Sequence, residues 1–549
     1  MRKIVVIGGV AGGMSFAARM RRLDENAQIT VVEKSGFVSY ANCGLPYYVG
    51  GVITDEKALL LQTPESLYKR FRIDVRVGSE VLRIDRDEKQ VDIKNHVSGE
   101  EYSLQYDQLV YSPGAAPIRP NIPGIERSLS LRNVEDVKQM FDAVSHKQKS
   151  AVVVGGGFIG VEMAENLVHR GIQTTLVEAQ DQVLMPLDPE MVELVHKEMR
   201  TKGVDLRLGA ALISINPDSV TLADGAEIEA DLVIMAIGVR PEITLAKSAG
   251  LEIGERGGVK VNHHNQTSDP DIFAVGDAVE KEDAFDGSQT LIPLANIANR
   301  HGRVIADYIA GKKTRYVPAI GTAIVKVFDL AVATSGWNEK KLRAAGKDYV
   351  AVHNHPASHA GYYPGGQGMS LKLLIDPKTQ LILGVQGIGK DGVDKRIDVI
   401  ATAMRGGITA PELADLELAY APPFGSAKDA VNMLGYISEN VLSGLTPTVQ
   451  WHEVEAKFSE GFTILDVRSV GEVDRGTLPD AVNIPIDEIR ERKEEIPKGK
   501  ILVTCQVGQR GHAATRLLRE MGYDAVNLDG GYATWSNSPA NKQLQKIGK

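Results

Sequence analysis

Two stretches of the chain share one pattern, KIVVIGGVAGG at residues 3–13 and SAVVVGGGFIG at residues 150–160. Each begins with a uniformly apolar, β-branched segment, which is typical of a strand buried on both faces of a parallel sheet. Each then passes through a glycine turn into a segment that predicts a helix. A second predicted strand follows and ends at an acid, Glu33 or Glu178. The pattern therefore predicts two βαβ units.

The glycines and the acid of each unit predict a dinucleotide site. Glycine lets the backbone approach a pyrophosphate, the helix N-terminus offers free N–H groups, and the acid can accept ribose hydroxyl hydrogens. The second turn fits GxGxxG, whereas the first has Val10 where the middle glycine is expected. Two such sites suggest a flavin and a nicotinamide cofactor, and an acid at the second site favours NADH over NADPH. The expected contacts are Gly8, Val10, Gly12, Gly13 and Glu33 at the first site, and Gly155, Gly157, Gly160 and Glu178 at the second.

The composition excludes several classes of protein. The chain has 549 residues, of which 43% are hydrophobic and 24% charged, with a net charge of −9. These values are ordinary for a globular protein of several domains and give no basic excess for nucleic acid. The sequence has no apolar run long enough for a transmembrane helix. Its two cysteines, Cys43 and Cys505, are too few for a disulfide framework, which favours a reducing, cytoplasmic setting.

Two later segments extend the pattern. LVYSPGAAP (109–117) contains Gly114, and SDPDIFAVGDA (268–278) ends beyond Gly276 and Asp277. With the two glycine turns, these segments resemble the pyridine nucleotide-disulfide oxidoreductase family. The resemblance implies FAD beside Gly114 and Asp277, with the second nucleotide domain inserted into the first. We therefore expect a flavin domain at 1–149 and 268–319 and an NAD(H) domain at 150–267.

The first cysteine stands alone in SYANCGLPYYVGG (39–51), whereas many members of that family carry two redox cysteines four residues apart. A buried structural cysteine is the plain alternative. The segment resembles the single-cysteine branch, the coenzyme A-disulfide reductases, in which the thiol forms a mixed disulfide with coenzyme A. Arg19 and Arg22 share a helix face and could meet coenzyme A phosphates. Ser39 and Asn42 match family positions around Cys43.

Residues 320–445 then correspond to the domain through which the family forms homodimers. The motifs GYYPGG (361–366) and AYAPPF (419–424) resemble those whose tyrosines reach the partner's active-site cysteine. Tyr420 is the clear match in the second motif, and in the first we favour Tyr362 over Tyr363. The nearby pattern HxHx₃H matches no zinc signature, so we expect no metal there and place its histidines beside the interface: His353, His355 and His359.

The C-terminal 100 or so residues, 446–549 after a linker at 442–451, resemble a rhodanese domain. The marks are Asp466-Val467-Arg468, Glu472, Asn483-Ile484-Pro485, the loop from Cys505 to Arg510, and Asp529-Gly530-Gly531. Gly476-Thr477 departs from the glycine-histidine of many members. Loop N–H groups, a helix N-terminus and Arg510 around Cys505 favour a thiolate that carries sulfane sulfur as a persulfide.

The expected fold class is α/β: two Rossmann-like dinucleotide-binding domains, an α+β dimerisation domain and an α/β rhodanese domain. Nearly the whole chain resembles the coenzyme A-disulfide reductase–rhodanese fusions. That resemblance implies FAD-dependent reduction of coenzyme A persulfide, polysulfide or coenzyme A disulfide by NADH through Cys43, with Cys505 delivering sulfane sulfur and hydrosulfide released. Two alternatives stay open: an NADH peroxidase or oxidase with Cys43 as a sulfenic acid, and a low-turnover sulfide or redox sensor.

Overall fold

The strand that precedes the first glycine turn, Lys3–Ile7, is the central strand of a five-stranded parallel sheet. The computed structural model describes residues 1–145 and 148–541. Four of the five residues of the central strand are buried, as expected when helices cover both faces of a parallel sheet. The strand before Asp277 lies at one edge, so the chain returns to this sheet late in its course. In spatial order the strands are Ile272–Ala274, Gln108–Tyr111, Lys3–Ile7, Gln28–Val32 and Asp74–Arg76.

The second glycine turn belongs to a separate four-stranded parallel sheet, which confirms the second Rossmann-like unit. In spatial order its strands are Asp205–Leu208, Gln173–Glu178, Ser150–Val154 and Leu232–Met235. Both sheets belong to one compact unit, formed by residues 1–183 and 203–321. Helices of this unit are Ala11–Leu23, Leu45–Val49, Pro64–Phe71, Val134–Ser145, Phe158–His169, Thr244–Ser248 and Ala295–Ile309.

Small antiparallel sheets complete the first unit. One three-stranded sheet follows the first βαβ unit, another follows the second, and two short strand pairs join distant segments. Their strands are Ser79–Asp85, Gln90–Asn95 and Glu101–Gln105; Leu212–Ile215, Ser219–Leu222 and Glu227–Glu229; Ala115–Pro117 with Val239–Pro241; and Lys281–Glu282 with Gln289–Thr290.

The second unit comprises residues 184–202 and those from 322 onward. Its first part is a five-stranded antiparallel sheet flanked by helices, as expected for an α+β domain. The strands are Ala323–Val327, Leu330–Gly336, Ile382–Gly389, Met369–Ile375 and Val350–Asn354 in spatial order. The helices are Pro189–Thr201, Glu339–Ala344, Val393–Gly406 and Ala430–Leu442. Nothing in the sequence pattern indicates that Pro189–Thr201 belongs with this sheet.

The C-terminal part of the second unit is a five-stranded parallel sheet, with strands Thr448–Val449, Asp524–Leu528, Lys500–Thr504, Phe462–Asp466 and Val482–Asn483. Its helices are Val454–Ser459, Val470–Val473, Gln509–Glu520 and Gly531–Ser536. The prediction of a plain linker at 442–451 is wrong in one respect, because Thr448–Val449 pairs with the strand Asp524–Leu528. No helix in the described ranges is both long and apolar enough to cross a membrane.

Candidate functional site

The first glycine turn is built so that only glycine fits at its two ends. Gly8 has φ of 94°, and a Cβ on it would lie 2.1 Å from the Ser112 carbonyl oxygen. A Cβ on Gly13 would lie 2.1 Å from the Gly8 carbonyl oxygen. The Glu33 carboxylate accepts N–H groups from Gly9 at 2.7 Å and Ser35 at 2.8 Å. Burial raises the pKa of Glu33, against the lowering effect of these bonds.

The second turn repeats this geometry. Gly155 has φ of 107°, and a Cβ on Gly160 would lie 1.9 Å from the Gly155 carbonyl oxygen. Glu178 accepts N–H groups from Gly156 at 2.6 Å and Gln180 at 2.8 Å. The two turns align residue for residue, which places Val10 opposite Gly157. A Cβ on Gly157 would meet no atom within 4 Å. The equivalent position in the first turn can therefore hold the side chain of Val10 without distorting the turn.

Asp277 lies in a 3₁₀ turn, Gly276–Ala278, directly after the edge strand of the first sheet. Burial raises the pKa of its carboxyl group, while Lys281 and Arg132 act in the opposite direction. Within the described ranges the structure records no hydrogen bond to this carboxylate. Gly114 has φ of 77° and open space beside it. A half-buried carboxylate without a hydrogen-bond partner among the described residues fits a hydroxyl-rich ligand such as a ribityl chain.

A cavity of about 600 Å³ opens beside Cys43. The residues that the sequence predicts for coenzyme A come from two separate segments, and all line this cavity: Arg19, Arg22, Ser39, Asn42 and Cys43. Val10 lines it as well, which places the first glycine turn at its wall. Four further polar residues on the wall were not predicted: Ser15, Tyr40, Asn299 and Arg303.

The basic wall of the cavity comes from two packed helices. Arg19 donates to Asp307 at 2.7 Å, and Arg303 lies 3.7 Å from the same carboxylate. Arg22, one turn further along its helix, is exposed. The cavity therefore presents three guanidinium groups, and with the Asp307 carboxylate behind them the local charge is still positive, which suits phosphate groups.

The thiol of Cys43 lies in a 3₁₀ turn, Asn42–Gly44, and is exposed. Ser39, just before it, holds φ of 50°, an uncommon conformation for a residue with a side chain. Burial, then the charges of Glu162 and Asp277, raise the pKa of Cys43. Burial also raises the pKa of Glu162 to about 7. Sequence reasoning missed Glu162, because only the folded chain brings it near the thiol.

The second cysteine, Cys505, is fully buried at the end of the strand Lys500–Thr504. Its Sγ accepts the Gly508 N–H at 3.2 Å. The predicted loop from Cys505 to Arg510 is too long, because the helix already begins at Gln509. Gly508, with φ of 91°, makes the sharp entry into that helix. Arg510 therefore stands in the first helical turn, where it binds Glu472 at 2.8 Å.

The other rhodanese marks surround this loop. Arg468 binds Asp466 at 2.6 Å and donates to Gln506 at 3.1 Å. Thr477, which replaces the histidine of many members, donates its hydroxyl to Asp466 at 2.7 Å. The threonine at this position therefore makes a hydrogen bond to a buried carboxylate of the same domain.

Family models match most of the chain. The pyridine nucleotide-disulphide oxidoreductase model covers residues 2–302, its dimerisation domain covers 322–431, and the rhodanese-like domain covers 450–538. The chain belongs to the pyridine nucleotide-disulphide oxidoreductase family. Three relatives extend this result. The reduced CoADR-RHD of Bacillus anthracis shares 49% identity over 98% of both chains, with a TM-score of 0.96.

The second relative is an NAD-dependent persulfide reductase from A. fulgidus, with 38% identity over 97% of this chain and all of that one and a TM-score of 0.92. The third is the coenzyme A disulfide reductase of Staphylococcus haemolyticus, 36% identical over 79% of this chain and 99% of its own length. Two of these relatives thus match beyond the flavin-type domains, into the rhodanese domain. The predicted resemblance and fold class are confirmed.

Members of this family use FAD and NAD(H), and the two turns fit those groups. In each turn, glycines let the protein backbone come close to a cofactor pyrophosphate. Each unit also has an acid at the end of its second strand. Glu178, at the second turn, is the residue expected to bind the ribose hydroxyls of NADH. The contacts of the individual residues with the cofactors remain predictions.

The tyrosines of the dimerisation domain form a pair in the second unit. The hydroxyls of Tyr362 and Tyr420 lie 2.9 Å apart. Their side chains are 77% and 47% exposed, respectively, so both can meet another molecule. Tyr363 instead packs edge-on against the ring of His359, with 5.5 Å between centroids. This geometry supports Tyr362 over Tyr363 as the partner of Tyr420.

The three histidines of HxHx₃H do not converge on one point. His353 contacts Asp529, His355 contacts Thr534 at 2.7 Å, and His359 contacts the Ala360 carbonyl oxygen. Among the described residues, one trio of carboxylates is close enough to hold a metal ion, Asp188, Glu190 and Glu339. The ammonium group of Lys372 binds all three, at 2.9, 2.5 and 2.6 Å. Lysine thus occupies the place that a cation would take.

Proposed function

We propose that this protein uses NADH to reduce the S–S bond of coenzyme A persulfide, polysulfide or coenzyme A disulfide at Cys43, while Cys505 delivers sulfane sulfur. The observation that carries the proposal is the cavity of about 600 Å³ that joins the Cys43 thiol to three arginines. A thiol alone would serve many redox reactions. A thiol at one end of a basic cavity suits a thiol substrate that carries phosphates.

Different residues of the cavity wall would bind different parts of coenzyme A. Arg19, Arg22 and Arg303 would hold the phosphate groups, since guanidinium pairs with phosphate oxygens in a bidentate manner. Asn42 and Ser39, next to the thiol, would orient the pantetheine end. Because Cys43 is exposed, its sulfur can reach and attack a bound persulfide.

The chemistry at Cys43 is thiol–disulfide exchange. The Cys43 thiolate attacks the inner sulfur of coenzyme A persulfide, a Cys43–S–S–CoA bond forms, and hydrosulfide leaves. FAD and NADH, when bound, supply the electron pair that reduces this mixed disulfide. Uptake of two electrons and one proton then returns the Cys43 thiolate and releases coenzyme A as its thiol.

The rhodanese domain supplies the persulfide. A donor passes a sulfane sulfur to Cys505, whose sulfur is held by the Gly508 N–H. The thiolate of coenzyme A then attacks the outer sulfur of the Cys505 persulfide, which forms coenzyme A persulfide and frees Cys505. Arg510, in the first turn of the helix, places a positive charge beside the site.

The protein works as a homodimer in this proposal, assembled through the dimerisation domain. The Tyr362–Tyr420 pair of a second copy would then reach the cavity beside Cys43. A phenol held by another phenol can donate a hydrogen bond to a thiolate or protonate a leaving sulfur. The high exposure of Tyr362 in the single chain supports this role.

The test is anaerobic NADH oxidation with coenzyme A persulfide as substrate. Cys43→Ser should abolish turnover. Cys505→Ser should retain it, and should fail only when thiosulfate or another donor must supply the sulfur. Full persulfide activity in Cys43→Ser would overturn the assignment of the thiol. Turnover with peroxide or dioxygen but not with persulfide would instead establish a peroxidase or oxidase.

A further inference from the structure

The imidazole of His353 is enclosed by two carboxylates inside the second unit. The residue lies on the strand Val350–Asn354 and is 2% exposed. Its Nδ1 lies 2.6 Å from Asp529 Oδ2, and its Nε2 lies 3.1 Å from Glu190 Oε1. An ionised carboxylate only accepts hydrogen bonds, and a neutral imidazole has a single N–H. Both contacts together therefore require an imidazolium ion.

The surroundings of His353 support its positive charge. Burial alone would lower the pKa of His353, but Asp529 and Glu190 outweigh burial and raise it to about 9. The charged or titratable groups that act on the ring come from four places: the rhodanese loop, the helix Pro189–Thr201, the neighbouring strand and the residue just after its own strand. They are Asp529, Glu190, Lys372 and His355. Burial and the charge of His353 lower the pKa of His355 to about 4, so His355 is neutral near pH 7.

Asp529 begins the turn Asp529-Gly530-Gly531, which the rhodanese resemblance singles out. The backbone N–H of His353 donates to Asp529 Oδ1 at 3.3 Å, so strand and turn are joined by main chain as well as side chain. Gln450 adds a third bond to Asp529, at 3.2 Å. A Cβ on Gly530 would lie 2.9 Å from His353 Cβ. The turn is thus pressed directly against His353.

The far side of the same turn holds the loop of Cys505. A Cβ on Gly531 would lie 2.4 Å from the Cys505 carbonyl oxygen and 2.8 Å from the Gly508 nitrogen. The N–H of Tyr532 donates to that carbonyl oxygen at 2.8 Å, and the N–H of Ala533 donates to Gln506 at 2.9 Å. The Gly508 N–H is the group that binds the Cys505 sulfur. A shift of the turn would therefore move the donor that holds the sulfur.

We propose that His353 is a positioning residue for sulfur transfer, because its contacts with Asp529 and Glu190 fix the turn that holds the Cys505 loop. This inference rests on the proposed function of Cys505 and adds a residue outside the rhodanese domain. Loss of a proton from His353 leaves one of two carboxylates without its hydrogen-bond donor. The turn then loosens, and sulfur transfer at Cys505 falls while reduction at Cys43 continues.

The kinetic test uses the FAD-loaded full-length protein with thiosulfate as sulfur donor and cyanide as acceptor. In wild type, the kcat should fall as the pH rises through about 9, the pKa of His353. His353→Gln should lower kcat about tenfold at neutral pH, the usual effect of losing a charge-assisted hydrogen bond, and should lack this alkaline loss. The KM for thiosulfate should stay unchanged, because His353 touches no substrate.

The matched control is His355→Gln. His355 also contacts the rhodanese domain, through the Thr534 hydroxyl at 2.7 Å, but among the described residues no carboxylate lies within hydrogen-bond distance of its ring. This variant should keep the alkaline loss. Oxidation of NADH with coenzyme A disulfide should remain within about twofold of wild type in both variants, which also verifies folding and flavin content.

Backbone exchange gives a second readout. Amide hydrogen exchange at Tyr532 and Ala533 should become faster in His353→Gln, since the turn that holds them is released. The double variant His353→Gln/Asp529→Asn removes both charges, so it should recover part of the lost kcat and protection. If His353 had a structural role that did not involve the ion pair, the effects of His353→Gln and Asp529→Asn on kcat and amide protection would be additive.

Three results would overturn the inference. The first is a wild-type kcat and pH profile in His353→Gln. The second is unchanged exchange at Tyr532 and Ala533 in that variant. The third, which needs no variant and therefore survives a folding failure, is a wild-type profile without alkaline loss. If wild type transfers no sulfur from thiosulfate or polysulfide, the proposed role of Cys505 fails, and the exchange measurement still decides whether His353 positions the turn.

Discussion

The phenol of Tyr47 donates to Glu162 Oε1 at 3.2 Å, and burial, then the charge of Glu162, raise the pKa of the Cys43 thiol. Burial raises the pKa of Glu162 to about 7, with the Tyr47 bond acting in the opposite direction. A carboxyl group that changes charge near neutral pH therefore faces the thiol. Its ionisation disfavours the thiolate, since like charges repel at close range.

Replacement of Glu162 should make Cys43 easier to ionise. In wild type, Glu162 becomes negative as the pH rises through about 7 and opposes loss of the Cys43 proton. Glu162→Gln removes that charge, so the pKa of Cys43 should fall. The measurement is the pH dependence of iodoacetamide alkylation, with the Cys43 and Cys505 peptides quantified separately by mass spectrometry.

The matched control is Glu80→Gln, which removes a carboxylate of the same unit that binds Lys34 and His96 instead. Its alkylation profile at Cys43 should coincide with that of wild type. A Glu162→Gln profile that also coincides with wild type would show that the carboxylate does not control the thiol.

Loss of Arg22 should weaken binding of coenzyme A substrates selectively. Arg22→Gln removes an exposed guanidinium from the wall of the cavity. The KM for coenzyme A disulfide should rise about tenfold, the scale of one charge-assisted hydrogen bond. The KM for inorganic polysulfide, which carries no phosphate, should not change, and neither should the KM for NADH.

Arg70→Gln provides the comparison, because Arg70 is an exposed arginine that does not line the cavity. An equal rise in KM for polysulfide and for coenzyme A disulfide in Arg22→Gln would mean that Arg22 acts on the thiol rather than on phosphates.

The parts of the fold that the sequence predicts are those with a local signature. A buried strand, a glycine turn and an acid within about 30 residues identify each βαβ unit without any knowledge of the rest. Arg19 and Arg22 could likewise be placed on one face from their spacing. Asn299 and Arg303 were not found, although they are four residues apart on a helix, since nothing local shows which helix packs against Ala11–Leu23.

The same limit applies to His353 and Glu162. The HxHx₃H pattern draws attention to His353 but not to its partners. The partners of both residues lie more than 100 positions away along the chain: Asp529 and Glu190 for His353, and Cys43 for Glu162. A single sequence contains no local pattern that reveals contacts between residues so far apart along the chain. The start of the helix at Gln509 was missed for another reason, because helix ends are the least certain feature of a sequence pattern.

Two alanine substitutions in the second glycine turn should separate folding from cofactor binding. Gly160→Ala places a methyl group 1.9 Å from the Gly155 carbonyl oxygen. Overpacking of this kind costs about 1 to 3 kcal/mol, so the melting temperature should fall. Gly157→Ala meets no atom within 4 Å and should leave the melting temperature unchanged while raising the KM for NADH. A normal KM in Gly157→Ala would show that the second turn, like the first turn with Val10, admits a side chain at this position when the cofactor binds.

Lys372 should prove essential for the stability of the second unit. Its ammonium group is buried among Asp188, Glu190 and Glu339. Burial would raise the pKa of Glu190, but Lys372 outweighs burial and lowers it below its ordinary value of 4.5. Wild type therefore gains stability from Glu190 above that value and loses this gain as the pH falls further. Lys372→Met leaves the carboxylates buried without the ammonium, at a cost of about 3 to 5 kcal/mol near neutral pH.

The pH dependence of stability should consequently reverse its sign in Lys372→Met. Without the ammonium, burial raises the carboxyl pKa values in the folded state, so the folded protein binds more protons than the unfolded one. Its stability should then increase from about pH 7 to about pH 5, where the lowered pKa values of Glu190 and Glu339 keep both groups ionised in wild type. Urea midpoints measured at several pH values decide this.

Lys378→Met is the control. The side chain of Lys378 is 84% exposed, and its ammonium group has a distant carboxylate neighbour, Asp348 at 3.9 Å. A Lys372→Met midpoint that lies below the wild-type midpoint by the same amount at every pH would show that packing alone, and not the buried charges, accounts for the loss.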